Sequence, residues 1–367
     1  MQLIKRSAIL SIATAVPDHK LASEVFADFM IDACRLHDVQ AAQVKRLSQR
    51  TGIINRHSVI RDFGKPREEW AFFDRDFPAI VPSTYKRNEL YIQHAPKLAL
   101  QAATEAIKRW GGLPSDITHV ISVSCTGFIA PGIEFLLHEQ LGMKNTVQRY
   151  GLNFMGCFGA FRGLALADSF AQQSSKNRVL LVCTELCSLH IQTEFTLNYI
   201  IGNALFADGA AAVIVGTQPR EHEKILWELD HFKFFALPDS QEVMTWKVGE
   251  HGFIMNLGPE VPVHIGNNIK SIGQELVAGH TTLDKISWLI HPGGKSIISV
   301  IEKACDINPE KTQASWDILA NYGNMSSPTF LFVLERDLAL KNNREWGIGL
   351  AFGPGLSVDG VLLHRTI

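Results

Sequence analysis

Apolar residues in this chain gather into short continuous runs, each followed by a longer stretch in which they recur at helical spacing. Residues 8–16 read as a first buried strand, residues 21–34 as a helix, and residues 90–110 as a long helix stopped by Gly111-Gly112. Residues 118–124 form a further strand. It runs into Cys125-Thr126-Gly127 and, after Pro131-Gly132, into a helix through Leu141. Residues 150–154 read as the end of an apolar strand, and residues 178–184 and 208–215 as two more. Between Gly216 and Glu223 the pattern turns polar and a second cycle begins. It comprises a helix over 260–278, a strand over 286–290, a helix through Cys305, helices over 316–322 and 328–340, and two apolar runs joined by Gly353-Pro354-Gly355 that read as paired strands. The alternation predicts an α/β fold with a mainly parallel sheet covered on both faces. Two cycles of similar grammar point to an internal duplication, divided into residues 1–220 and 221–367.

Two stretches do not fit the alternation. Residues 66–87 are aromatic and irregular, and residues 44–61 carry Lys45, Arg46, Arg50, Arg56, His57 and Arg61. The second is either a solvated face or a local anion-binding surface.

Composition narrows the class. A chain of 367 residues that is 46% hydrophobic can bury a large core. Its formal net charge of -2 gives no global attraction to nucleic acid or to an anionic membrane, so a small molecule is the expected partner. Six cysteines, mostly inside apolar runs, fit reduced thiols in a cytoplasmic protein better than a disulfide framework, and none has the spacing of a zinc site. Lys5 and Arg6 before the first apolar run resemble a short signal peptide, but Ser11 and Thr14 interrupt that run and Pro17 ends it. No stretch approaches the roughly 18 apolar residues of a membrane span.

Candidate chemistry sits in three polar turns. Cys157 stands between the strand ending near Phe154 and the helical pattern of Phe161, Leu164 and Ala167. A helix N-terminus there is expected to lower the thiol pKa from about 8.5 and favour a nucleophilic thiolate. The alternative is a buried small hydrophobe. His291 ends an apolar strand, and Asn324 lies in the turn before the helix at 328–340. Each alone reads more often as a satisfied polar group than as a catalyst, the asparagine most of all. Together they supply a nucleophile, a base or electrophile, and an amide donor at the carboxyl ends of strands.

The motifs around these residues carry a resemblance. GCFGAF at Cys157, HPGG at His291, YGNMSS at Asn324 and AFGPGLSV near Leu356, with CTGFIAPG from Cys125 and ALFADGAAAVIVG from Ala204, resemble the type III polyketide synthases, the chalcone synthase-like family. RTGI at Arg50 is shared with the related ketoacyl synthase III enzymes. The resemblance implies a thiolase fold, two duplicated halves in a five-layer αβαβα arrangement, and a homodimer acting on acyl-CoA and malonyl-CoA with no metal or organic cofactor. It implies that Cys157 accepts the acyl group and that His291 and Asn324 polarise the thioester carbonyl. Phe206 matches a gatekeeper aromatic. Cys125, Cys187, His190, Gly202 and Ser326 fall around the expected cavity, and Arg50 and Arg56 are the candidates to meet coenzyme A phosphates. The implied reaction is iterative decarboxylating condensation followed by cyclisation to a pyrone, resorcinol or related product.

Departures from the plant pattern lie at that cavity. Cys187 and His190 replace small hydroxyl residues, Cys125 fills a position often held by threonine, and residues 191–201 form a shortened segment. Competing readings are a single-step ketoacyl synthase III-like enzyme, a Cys-His-Asn hydrolase and a non-catalytic binding module. The hydrolase is disfavoured by the absence of a C-G-S-C-[WY] motif, and the single-step enzyme by HPGG in place of HxAN.

Overall fold

The computed structural model describes residues 6–365; Lys5 lies outside them. The first half comprises β1 (Ser7–Ala15), β2 (Lys20–Ala22), α1 (Ser23–Ala33), α2 (Asp38–Arg50), β3 (Asn55–His57), α3 (Thr84–Trp110), β4 (His119–Ser124), α4 (Ile133–Leu141), β5 (Gln148–Asn153), α5 (Gly159–Gln173), β6 (Arg178–Leu186), α6 (Leu197–Leu205) and β7 (Asp208–Gly216). The second comprises β8 (Trp227–Ala236), β9 (Met244–Gly249), β10 (Gly252–Leu257), α7 (Val261–Val277), β11 (Ile286–Ile290), α8 (Lys295–Cys305), α9 (Gln313–Tyr322), α10 (Thr329–Ala339), β12 (Trp346–Gly353) and β13 (Ser357–His364).

Most expected elements are present, and the differences have local causes. The long helix α3 starts at Thr84 rather than residue 90 because Ser83 caps it, and Gly111 ends it in the left-handed region at φ 80°. Helix α2 was not expected within the cation-rich stretch; it buries only Val44 and Ser48, too thin a stripe to read as helical periodicity. Helix α6 begins at the Thr196 cap and places Phe206 at its C-cap, just ahead of β7.

Nine strands form one sheet in the order β11-β12-β13-β8-β1-β7-β6-β4-β5. The expected mainly parallel sheet is corrected: only β4–β5, β4–β6 and β11–β12 are parallel. Strands β7 and β13 return antiparallel to their neighbours, β13 through the short turn between Gly353 and Ser357. Numbered within its own half, the N-terminal set β1, β4, β5, β6, β7 lies in the order third, second, fourth, fifth, first. The C-terminal set β8, β11, β12, β13 repeats that order and those strand directions without a third strand. The duplication is therefore visible in topology, and the antiparallel pairing of β1 with β8 joins the halves.

The core confirms five layers. One apolar cluster packs α3 on the N-terminal strands, a second surrounds α5 and α10 between the two sets of strands, and a third packs α7 and α8 on the C-terminal strands. Strand β5, expected to be apolar, is a half-exposed edge strand, which explains its polar Gln148 and Arg149.

Candidate active site

Helices α5 and α10 lie side by side in the middle layer, with Phe161 and Phe330 ring centroids 4.2 Å apart. Each is entered through a tight turn. Phe154 at φ 59° and Gly156 at φ 77° bend the chain so that Cys157 sits on the 3-10 turn Gly156–Phe158 directly before α5. A side chain at Gly156 would stand 2.6 Å from Pro354 Cδ, so the elbow requires glycine on both counts. The second turn holds Gly323 at φ 71° and Ser326 at φ 59°, with Asn324 between them.

Asn324 is fixed from several sides. Its backbone N-H donates to the Leu205 carbonyl at 3.0 Å, and its carbonyl accepts from Ala207 at 2.9 Å, which ties it to Phe206. The Ser326 backbone N-H donates to Asn324 Oδ1 at 2.8 Å, leaving Nδ2 to donate to the Gly293 carbonyl at 3.2 Å. The amide therefore presents its donor toward the His291 turn. Asn324 and Ser326 also stand close enough to Cys157 to favour its thiolate. His291 follows β11, is 1% exposed, and has neither ring nitrogen hydrogen-bonded within the described residues. Two unpartnered nitrogens in a buried ring are unusual and leave both free to meet a ligand.

The expected depressed thiol does not follow from the helix N-terminus. Burial pushes the Cys157 thiol up to about 11, against the hydrogen bonds from Ser326 and Asn324. Burial likewise pushes His291 down to about 3. Charging either group alone in this site is costly.

Cys157, His291 and Asn324 line one cleft of about 560 Å³, together with Phe206, Met244, Met255 and the mouth residues Arg50 and Lys295. Phe206 also borders two smaller spaces of about 30 and 20 Å³. Cys187 lines both of these, Gly202 and His190 line the first, and Cys125 and Ser326 line the second beside Cys157. A methyl group added to Gly202 would meet nothing within 4 Å.

One expected contact is corrected, and one residue that lines the first small space has its ring nitrogens already engaged. Arg56 is 1% exposed and donates to the carbonyls of Asn203, Ala204 and Phe206. It caps the end of α6 and holds Phe206 in place; it does not face the cleft mouth. His190 is a satisfied core residue: its Nε2 donates to the Thr126 carbonyl at 2.8 Å, its Nδ1 accepts from Phe253 N-H at 3.0 Å, and its ring stacks on Phe253 at 4.1 Å. Of the other cations, Lys45 pairs with Asp28, whereas Arg50 and Lys295 have no ion-pair partner among the described residues.

Sequence reasoning missed the opposite wall. The β9–β10 hairpin brings Met244, Trp246 and Met255 against Phe206, and Trp246 Nε1 donates to the Cys125 carbonyl at 2.7 Å. Met244-Thr245-Trp246 and Phe253-Ile254-Met255-Asn256-Leu257, alternating about Gly249 and Gly252, carry a period-two signal that identifies this hairpin. Glu185 was also missed. It is fully buried behind the site and accepts from Ser327, Thr126 and Cys125.

Comparison with known proteins gives one answer across the chain. Residues 4–219 match the family described as chalcone and stilbene synthases, N-terminal domain, and residues 228–367 match its C-terminal domain. A probable polyketide synthase 1 of Dictyostelium discoideum is 34% identical over 98% of this chain, which spans 12% of that longer protein. Type III polyketide synthase C of Arabidopsis thaliana is 31% identical, covering 98% of this chain and 95% of the relative. The crystal structure of the C-terminal type III polyketide synthase domain of Steely1, a type I/III hybrid from Dictyostelium, superposes with a TM-score of 0.91 at 33% identity, covering 99% of this chain and 100% of that domain. The thiolase fold, the duplicated topology and the turn bearing Cys157 thus belong to a chain that is a member of the chalcone and stilbene synthase family, the type III polyketide synthases.

Proposed function

We propose that this enzyme loads an acyl group from an acyl-CoA onto Cys157, decarboxylates malonyl-CoA, and condenses the resulting enolate with the bound acyl group more than once before cyclising the product. The observation that carries the reading is the convergence of Cys157 with a fixed Asn324 amide and a His291 ring whose nitrogens are unpartnered, all in one cleft. Loss of carbon dioxide from the malonyl group leaves negative charge on the thioester oxygen, where His291 Nε2 and Asn324 Nδ2 act as donors. The enolate carbon then attacks the acyl carbonyl, and the Cys157 thiolate leaves. A proton moved from Cys157 to His291 charges both groups together, so their attraction opposes the burial that disfavours each singly. The N-terminal half, residues 1–220, supplies the nucleophile; residues 221–367 supply the two donors. A cytoplasmic homodimer is part of this reading, carried over from the family resemblance.

Arg50 and Lys295 at the cleft mouth are assigned to the coenzyme A phosphates, helped by the N-terminus of α8. Replacing both with alanine is expected to raise the Michaelis constant for malonyl-CoA about tenfold at low salt, with the difference shrinking as salt rises. Equal Michaelis constants at low salt would reject the assignment.

One observation favours the single-condensation alternative. The spaces beyond Phe206 measure 30 and 20 Å³, room for about two waters each, so a growing chain needs the wall to yield. Trp246 is that wall. Products formed from malonyl-CoA and a panel of short, long and aromatic acyl-CoAs, analysed by mass spectrometry, test both readings. Wild type is expected to extend at least one starter twice or more, and Trp246→Ala to shift the products to longer chains. A wild-type enzyme that stops at one two-carbon extension with every starter leaves the ketoacyl synthase III-like reaction in its place.

A further inference from the structure

A cluster of side chains able to ligate a metal lies outside the cleft, on β8 and the turn after α7. Strand β8 pairs with β13 in a register that shifts at one point: His231 faces Leu362 and Leu229 faces Leu363, so Asp230 has no partner on β13. This bulge inverts the inside-outside phase of the strand. Before it, Trp227 and Leu229 point into the middle layer; after it, Phe232 does. A bulge re-aims side chains. Here it places the consecutive residues Asp230 and His231 side by side, where a regular strand would send them to opposite faces.

The turn after α7 brings His280 to the same point. Asp230 Oδ1 stands 2.9 Å from His231 Nδ1 and 3.6 Å from His280 Nε2. The candidate ligand atoms of the three residues all lie within 4.8 Å of one another. Neighbouring ligand atoms around a tetrahedral zinc ion with bonds of ~2.0–2.1 Å stand about 3.3 Å apart, which falls between the two measured distances. The carboxylate is 5% exposed and is held from behind by Arg6, whose Nη2 lies 2.5 Å from Asp230 Oδ2. That leaves Oδ1 for the two rings. The histidines are 29% and 30% exposed, so an ion has a path in and solvent can complete its coordination.

We propose that Asp230, His231 and His280 form a binding site for a late first-row divalent cation, with Zn²⁺ as the physiological candidate. Two imidazole nitrogens and one carboxylate oxygen suit Zn²⁺, Cu²⁺ and Ni²⁺ rather than Mg²⁺ or Ca²⁺, which prefer oxygen ligands. The ion clamps the bulge in β8 to the turn following α7. It stands apart from the proposed condensation chemistry and has no part in it.

The test uses the full chain with its accessible thiols alkylated in the folded state, so that they do not compete for metal. Calorimetric titration with ZnCl₂ after chelator treatment is expected to show about one ion per chain and a raised melting temperature. MgCl₂ at the same concentrations is expected to show neither. Asp230→Asn, which keeps the shape of a nearly buried side chain, and His280→Ala, on a partly exposed turn, should each weaken binding at least about tenfold. A local probe is available, because the Trp346 ring lies 5.5 Å from that of His280. CuCl₂ should quench part of the tryptophan emission, and that part should vanish in Trp346→Phe and in His280→Ala. Equal zinc uptake by wild type and His280→Ala, or no uptake by wild type, would show that the three side chains are only a hydrogen-bonded cluster.

Discussion

Cys157→Ala is expected to abolish condensation while leaving slow decarboxylation of malonyl-CoA measurable. Acyl transfer needs a sulfur that can leave as well as attack, whereas the enolate left by decarboxylation is stabilised by His291 and Asn324, which the substitution leaves in place. Two other thiols, Cys125 and Cys187, border the small space beside Cys157 and are the candidates to replace it. Burial raises both well above the ordinary thiol range, and the Glu185 carboxylate raises them further. Cys125 Sγ also donates to Glu185 Oε1 at 3.1 Å, which holds it as a thiol. Neither is expected to carry acyl groups. Peptide mass analysis of the acylated wild-type enzyme checks this directly: an adduct on Cys125 or Cys187 in place of Cys157 would overturn the assignment. Loss of one buried sulfur leaves a small cavity, so the variant should melt within a few degrees of wild type.

What could be read from the sequence was what a turn between two strong patterns makes visible. Cys157, His291 and Asn324 each follow the end of a strand or helix and precede another helix, so their placement in turns followed from periodicity and glycine. The same logic located β12 and β13 about Gly353-Pro354-Gly355. Arg56 shows where it fails. A cation in a basic run looks solvent-facing, and only the tertiary position of α6, which offers it three carbonyls, turns it into a buried clamp. His190 fails in the other direction: its two hydrogen bonds come from Thr126 and Phe253, distant in sequence. Trp246 was missed because β9 and β10 are short and partly exposed, and the apolar face that carries Trp246 and Met255 meets Phe206 only in the folded chain. The thiol illustrates a limit of local electrostatics, since the helix end is legible but the desolvation that outweighs it belongs to the whole fold.

The duplication relates the two halves of the site. Cys125 and His291 both follow the second strand of their half, β4 and β11, and Cys157 and Asn324 both occupy the turn before the middle-layer helix of their half. One pseudo-equivalent pair thus supplies a thiol held by Glu185 and an unpartnered imidazole; the other supplies the nucleophile and an amide donor. The same positions in the two halves have diverged from each other in chemistry while keeping their place at the cleft and the small space beside it.

His291→Ala and Asn324→Ala are each expected to slow malonyl-CoA decarboxylation by about 100-fold, the loss of one donor worth ~3 kcal/mol to a developing oxyanion. Their effects on Cys157 should differ, and that difference separates a donor from a proton acceptor. In wild type, the proton can pass from Cys157 to His291, so alkylation by iodoacetamide should vary little between pH 6 and 9. Without His291, the buried thiol must ionise alone, with burial holding its pKa near 11. The thiolate fraction then rises as pH rises toward that value, so alkylation of His291→Ala should be slow at pH 6 and accelerate about tenfold per pH unit. Asn324→Ala removes one hydrogen bond that favours the thiolate but keeps the imidazole, so its alkylation profile should stay close to flat. Decarboxylation unchanged in Asn324→Ala would remove that residue from the donor pair, and a steep alkylation profile in wild type would remove His291 as the partner of the thiol.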